Sequence, residues 1–416
     1  MLNIHDKGVK DSNIFDTFFY DILYTEYKIH ERNRVMRNLR LNSEALVTGV
    51  NSLEYLKSIK YNKAMIITGG KSMFTTGVID KVEEYLEKDG GEVYIYSGVG
   101  KNPTVSEVKE GLDRMNAICP DLIVAVGGGS PIDAAKIITL LYEYPELDIE
   151  NISGVKLPEE RYKTKFIAIP STSGTGTEVT HVSVITYPEK NLKIGLKAES
   201  LRPDVAILDG NIPMSLPQNI AAETGMDALT HAIESYINKD ANDFTEVLAK
   251  GAIEGLIKWL PISCNDKSLE SREKVHNYQS MAGMAFSNSG LGMVHGISHA
   301  FGGRYNLAHG LTNAIILPYA MRYNSKDKEV KEKFESLART IGCKDIIVEI
   351  ENLKEKLGIA KSISQIGIDE EIFKKDFDIL LENSMMGSTV VNPIKITKED
   401  MKEIINAVYY GNDIEE

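Results

Sequence analysis

Two periodicities divide the chain. From about residue 45 to 210, short apolar runs ended by glycine or polar residues alternate with stretches whose apolar residues recur at threes and fours. Ala64-Met65-Ile66-Ile67-Thr68 reads as a strand closed by Gly69-Gly70, and Val78, Ile79, Val82 and Tyr85 share one face of a helix. Glu92 to Tyr96 predicts the next strand and Thr104 to Met115 the next helix. Leu122-Ile123-Val124-Ala125-Val126 is apolar without a break, as a strand covered on both faces should be. This alternation predicts an α/β dinucleotide-binding domain built on a parallel, Rossmann-like sheet.

Beyond residue 210 the strand pattern fades. Helical periodicity covers 218–237, 242–260, 271–287, 327–341, 348–357, 369–383 and 397–409, which predicts an all-α C-terminal domain. Thr397 with Asp400, before Met401, Ile404 and Ile405, marks a helix start of the capping-box type. Residues 1–44 fit neither pattern. Their scattered aromatics (Phe15, Phe18, Phe19, Tyr20, Tyr24, Tyr27) and the basic run from Arg32 to Arg40 suggest a helix or arm packed on the body or on a second subunit. The expected organisation is therefore an arm at 1–44, a dinucleotide domain at 45–210 and a helical domain at 211–416.

Composition narrows the classes of function. With 416 residues the chain is long enough for two cores, and its net charge of −13 argues against nucleic acid or an anionic membrane as partner. No apolar run approaches the roughly 18 residues that span a bilayer, and the first residues lack a secretory pattern. Cys119, Cys264 and Cys343 form no CxxC pair and read as free thiols, which points to the reducing cytoplasm.

Two segments carry candidate phosphate chemistry. Gly127-Gly128-Gly129-Ser130-Pro131-Ile132-Asp133-Ala134-Ala135-Lys136 joins the buried strand to a helix. Its glycines let the backbone turn close to a ligand, Ser130 suits the N-cap, Pro131 suits the first helical position, and the helix start offers N–H groups to an anion. The bland alternative is a tight turn without a ligand; the strand–glycine–helix context favours the phosphate. Ser171, Thr172, Ser173, Thr175 and Thr177, with Gly174 and Gly176, follow the apolar strand 166–169 and offer hydroxyls to adenine, ribose or pyrophosphate. Without the first segment, this one would read as a plain polar loop.

Histidine spacing supplies the second candidate. Asp227 and His231, and again His295 and His299, stand four apart on one helical face, and His309 follows beside Gly310. Met226, Leu229, Ile233, Met293, Val294, Ile297 and Phe301 surround them, so idle imidazoles would be buried without partners. A metal held by Asp227, His231, His295 and His309 satisfies them. One carboxylate and three imidazoles suit Fe(II) or Zn(II) and are poor for Mg or Ca. His299, one turn beyond His295, could touch substrate or relay a proton.

These segments, with Thr224 to Ala232, Ala282 to Asn288, and His309-Gly310 before Asn313-Ala314, resemble the iron-containing alcohol dehydrogenases from about residue 45 to the end, and most resemble their NADPH-dependent butanol dehydrogenase branch. The resemblance implies the same four metal ligands and an active-site role for His299. It implies cofactor contacts from Asn102, Gly127, Gly128, Gly129, Ser130, Asp133, Ser171, Thr172, Thr175 and Lys193, a short primary alcohol or aldehyde as substrate, and a homodimer or larger assembly. Where NAD-using relatives end the first strand with Thr-Asp, this chain reads Thr68-Gly69-Gly70-Lys71-Ser72. The absent carboxylate leaves room for a 2′-phosphate, and Lys71 and Ser72 offer it charge and hydrogen bonds, so NADP(H) is expected over NAD(H). The opening also departs from the family pattern, because Ala45 to Val50 stand where a strand running to a Phe-Gly turn is usual.

Other readings remain open at this level. Arg304, if turned inward, would favour a functionalised substrate such as 4-hydroxybutyrate, and 1,3-propanediol is a further alternative; Tyr305 has no assigned role. A metal-dependent lyase of the dehydroquinate synthase type, or a glycerol-1-phosphate dehydrogenase, would need more basic residues than the single Arg304 in 291–310. A nucleotide-binding protein without chemistry would leave the metal set unexplained.

Overall fold

The structure is a computed structural model that describes residues 38–414 except Asp89 and Asn191. The aromatics at 15–27 and most of the basic run lie outside the described residues. Six strands form one parallel sheet: β1 (Ala45–Gly49), β2 (Lys63–Gly69), β3 (Glu92–Val99), β4 (Leu122–Gly127), β5 (Lys165–Pro170) and β8 (Val205–Asp209), in the order β1-β8-β5-β4-β2-β3. Helices α1 (Val78–Glu87), α2 (Val105–Ile118) and α3 (Gly129–Glu143) connect them.

Both faces of the sheet are covered, which explains the unbroken apolar run of β4. Met65, Ile67, Ile123, Ala125, Phe166 and Ala168 point to one core with α3, while Ile66, Leu122, Val124, Val126, Ile167 and Ile207 point to another with α1. The strand period of two is present but masked, because both of its phases are apolar. The chain leaves β2 toward β3 on one side and β4 toward β5 on the other. The order therefore reverses between β2 and β4, where open α/β sheets place their ligands, at the carboxyl ends of the strands. Gly69 and Gly127 end those two strands.

The pattern reading did not separate out β6 (Val182–Tyr187) and β7 (Leu192–Lys197), an antiparallel hairpin beside α3. Thr186 donates its N–H to the Pro103 carbonyl at 2.8 Å, which sets the hairpin against the segment after β3.

The remaining chain is helical: α4 (Gln218–Ile237), α5 (Asp243–Asn265), α6 (Leu269–Ser289), α7 (Met293–Tyr305), α8 (His309–Asn324), α9 (Lys328–Ile341), α10 (Ile346–Lys356), α11 (Glu370–Ser384) and α12 (Lys398–Tyr410). The expected helices are all present, and the Thr397/Asp400 capping box forms with both reciprocal bonds. α7 and α8 are additions. α8 is buried from Thr312 to Met321 without a break and contains Pro318, and α7 carries three glycines, so neither shows a polar stripe to the pattern reading. Leu229, Ile233, Ile253, Leu256, Ile297, Phe301, Ile315 and Ile404 belong to their shared core. Cys119, Cys264 and Cys343 are free thiols.

Candidate metal and cofactor site

The helical region gathers its polar side chains at one point. Asp227 and His231 lie a turn apart on α4, His295 and His299 a turn apart on α7, and His309 opens α8. One ligand atom each from Asp227, His295 and His309 lies within 4.8 Å of the others. Asp227 Oδ1 is 3.9 Å from His295 Nε2 and 3.7 Å from His309 Nε2. His231 stands just outside this trio. Its ring stacks on His295 at 4.6 Å and on Phe286 at 4.4 Å, and its Nδ1 is 3.2 Å from the Gly174 carbonyl oxygen. The ring of His299 stacks on His309 at 5.2 Å, on the open side of the cluster.

Burial disfavours charge on His231 and His295 and holds both below the ordinary histidine range; His299, at the open edge, is held low by partial desolvation and by the neighbouring His309 and His295. Burial pushes the Asp227 carboxyl up, but His231, His309, His295 and the Asn313 amide outweigh it and keep the group an anion. The cluster thus sets one carboxylate against the imidazoles, with charge disfavoured on His231 and His295.

The donor set fits a cation. Asn313 Nδ2 lies 2.7 Å from Asp227 Oδ1 and 3.1 Å from both His295 Nε2 and His309 Nε2, while Asn313 Oδ1 is buried without a partner. A single amide has two hydrogens for three acceptors and leaves its own oxygen orphaned, so the acceptors outnumber the donors. A transition metal among Asp227, His231, His295 and His309 would remove that deficit. Asn313 and Glu234, which takes the His295 Nδ1 at 2.5 Å, are polar partners that spacing alone did not single out. Their sequence signals are faint: a carboxylate three residues after His231 and an amide four residues after His309.

The glycine loop and the hydroxyl loop meet at the carboxyl end of the sheet. Helix α3 begins at Gly129 with Gly128 as N-cap, so Ser130 is not the cap; its hydroxyl donates instead to the Lys101 carbonyl. No side chain caps this helix start, which leaves its N–H groups for an anion. A Cβ on Gly129 would lie 2.9 Å from the Thr175 methyl, and one on Gly128 would lie 3.4 Å from that of Thr172. The two threonines therefore border the loop, whereas Ser173 turns to His276 Nδ1 at 2.9 Å and Ser171 is buried. Lys193, on β7, donates to Asn102 Oδ1 at 2.9 Å, and its ammonium is near enough to His299 to lower that group's pKa.

Two expectations change. The Asp133 carboxylate accepts from the Thr177 hydroxyl at 2.6 Å and the Val184 N–H at 3.1 Å, so it braces the hydroxyl loop from behind and is not turned toward a cofactor. Arg304 points away from the cluster, with Nε and Nη2 at 2.8 and 2.6 Å from the two oxygens of Asp376 on α11. The bidentate pair occupies the Nε–Nη2 edge of the guanidinium and ties the side chain to α11. R304A is therefore expected to leave the ratio of kcat/KM for succinic semialdehyde over butanal within about twofold of wild type; a selective loss for the acid would restore the inward-facing reading. Tyr305 packs on Phe301 at 6.1 Å.

At the end of β2, a Cβ on Gly69 would lie 2.7 Å from the Val99 carbonyl oxygen, because the β2–β3 register shifts there. Glycine at 69 thus has a packing reason of its own. Gly70 is open with φ 45°, and Lys71 and Ser72 are exposed at the helical turn Ser72–Thr75.

The hydroxyl loop also forms the seam between the two halves. Gly174 packs against Thr224 on α4, and Gly176 packs against Gly283 on α6, where an added Cβ would come within 2.6 Å of backbone. Through the Gly174 carbonyl, the loop that borders the phosphate site holds His231.

Known proteins place the same elements together. Residues 44–210 match the family model for iron-containing alcohol dehydrogenase, and residues 221–409 match the C-terminal model of that family. The chain is 40% identical over 378 residues to an NADPH-dependent butanol dehydrogenase of Clostridium saccharobutylicum, covering 88% of this chain and 97% of that one. It is 35% identical over 417 residues to an aldehyde-alcohol dehydrogenase of Streptococcus pneumoniae, and spans 47% of that longer protein. An iron-containing alcohol dehydrogenase from Thermococcus thioreducens superposes with a TM-score of 0.84 at 34% identity, covering 91% of this chain and all of that one. The chain belongs to the iron-containing alcohol dehydrogenase family.

Proposed function

We propose that this protein is a metal-dependent alcohol dehydrogenase that moves hydride between NADP(H) and a short-chain primary alcohol or its aldehyde. The observation that carries the reading is the convergence of Asp227, His295 and His309 beside His231, whose Nδ1 meets the loop bordering the phosphate site. A dinucleotide half at 45–210 and a metal half at 211–416 then face each other across the seam, with a reducing cytoplasm and a homodimer or larger assembly as the setting.

When bound, Fe(II) or Zn(II) at Asp227, His231, His295 and His309 supplies Lewis-acid polarisation of the substrate oxygen, and the nicotinamide supplies or accepts the hydride. The protein's residues position the parts. Gly127 to Gly129 and the start of α3 would receive the pyrophosphate on backbone N–H groups, and Thr172 and Thr175, which border those glycines, would offer hydroxyls. Lys193, bonded to Asn102, would offer a positive charge near His299 and the cofactor. His299, neutral and open to the cleft, is placed to exchange a proton with the alcohol oxygen or a water. Phe286, stacked on His231 at 4.4 Å, sets an apolar ring against the proposed metal ligands.

Lys71 and Ser72 support NADP(H), as does the similarity to the NADPH-dependent enzyme of Clostridium saccharobutylicum. The test is NADPH and NADH oxidation with a panel of aldehydes, after anaerobic reconstitution with Fe(II) or Zn(II). NADPH is expected to lead, and the K71A/S72A double variant is expected to lower kcat/KM for NADPH by about tenfold, the value of one charge-assisted contact, with little change for NADH. A wild-type kcat/KM for NADH equal to or above that for NADPH sinks the cofactor assignment.

A further inference from the structure

Glu234 is buried on α4, one turn beyond His231, and both of its oxygens are engaged. Oε1 accepts the backbone N–H of Val294 at 2.6 Å, and Oε2 meets His295 Nδ1 at 2.5 Å. The first contact supplies the start of α7 with the acceptor that its N-cap, Gly292, cannot offer from a side chain. The second fixes the imidazole. As a carboxylate, Glu234 only accepts; Nδ1 then carries the hydrogen, and the lone pair of the neutral ring is left on Nε2. That nitrogen is the one facing Asp227 Oδ1 and Asn313.

We propose that Glu234 is a positioning residue: by holding the Nδ1–H of His295 while anchoring the first turn of α7, it selects the tautomer and ring orientation that let Nε2 bind a cation. This rests on the metal site proposed above. The two jobs share one carboxylate, so the helix that carries His295 cannot shift without turning the ring. Glutamine cannot replace it. With its oxygen toward Val294, its NH₂ faces Nδ1 and drives the proton to Nε2; with its oxygen toward Nδ1, its NH₂ opposes the Val294 N–H.

The experiment compares Zn(II) affinity of wild type and E234Q by competition with a chromophoric chelator, and follows unfolding of both metal-free proteins. E234Q is expected to fold and to bind Zn(II) roughly 10–100-fold more weakly. A folded E234Q with wild-type affinity overturns the proposal. Wild type that binds no Zn(II) or Fe(II) sinks the metal reading itself, and this proposal with it. Should E234Q fail to fold, ¹⁵N-histidine NMR of the metal-free wild type decides, with His295 assigned through H295A: a protonated Nδ1 and bare Nε2 support the proposal, and a protonated Nε2 overturns it.

Discussion

D227A is expected to fold, to bind no metal and to lose at least about 10³ in kcat/KM, the equivalent of roughly 4 kcal/mol of transition-state stabilisation. Asp227 brings a negative charge to a ligand set otherwise made of imidazoles, beside the Asn313 amide. Without it, three imidazoles bind a divalent ion more weakly and leave its full charge in a buried place. The fold should survive, because Asp227 makes no contact that ties α4 to the sheet, and its loss removes a buried ion as well as an anion partner. Metal content by atomic emission and a thermal melt of the metal-free variant check both halves. Full metal occupancy in D227A, or activity within tenfold of wild type, contradicts the proposed ligand set.

G310A is expected to be the second most damaging single change, although alanine is the better helix former by up to about 1 kcal/mol. Gly310 is the second residue of α8, and a Cβ there would lie 2.3 Å from the Glu223 carbonyl oxygen and 3.3 Å from Asp227 Cβ. The first of these is backbone, so no rotamer relieves it and α8 must back away from α4. Overpacking of this kind costs about 1–3 kcal/mol, which exceeds the propensity gain. The movement also carries His309 away from Asp227, so metal affinity falls together with stability. A variant with the wild-type melting temperature and wild-type Zn(II) affinity would show that the two helices have more room than the geometry allows.

What the sequence makes legible follows from how each element earns its place. Asp227 and His231 are readable because helical spacing puts both on one face, and an apolar neighbourhood leaves them no idle role. β4 and its glycine turn are readable because a fully covered strand has no polar positions at all. Glu234 is harder to read, since one glutamate in a helix usually faces water; only the packing of α7 onto α4 gives it two buried partners. Arg304 misleads for the opposite reason. It is five residues from His299 in the chain, but the last turn of α7 directs it to Asp376, some seventy positions further on. The β6–β7 hairpin escapes the alternating pattern because it lies outside the main sheet, yet it delivers Lys193 to Asn102.

The glycine-to-backbone seam bears on any attempt to reshape this protein in the laboratory. Libraries aimed at residues 174, 176 or 283 would mostly sample variants that cannot close, since every side chain there meets main chain. The tail of α7 is permissive instead: a Cβ at position 303 encounters nothing within 4 Å, and one at 302 finds only the Leu307 carbonyl oxygen at 3.8 Å. Side chains are best introduced there.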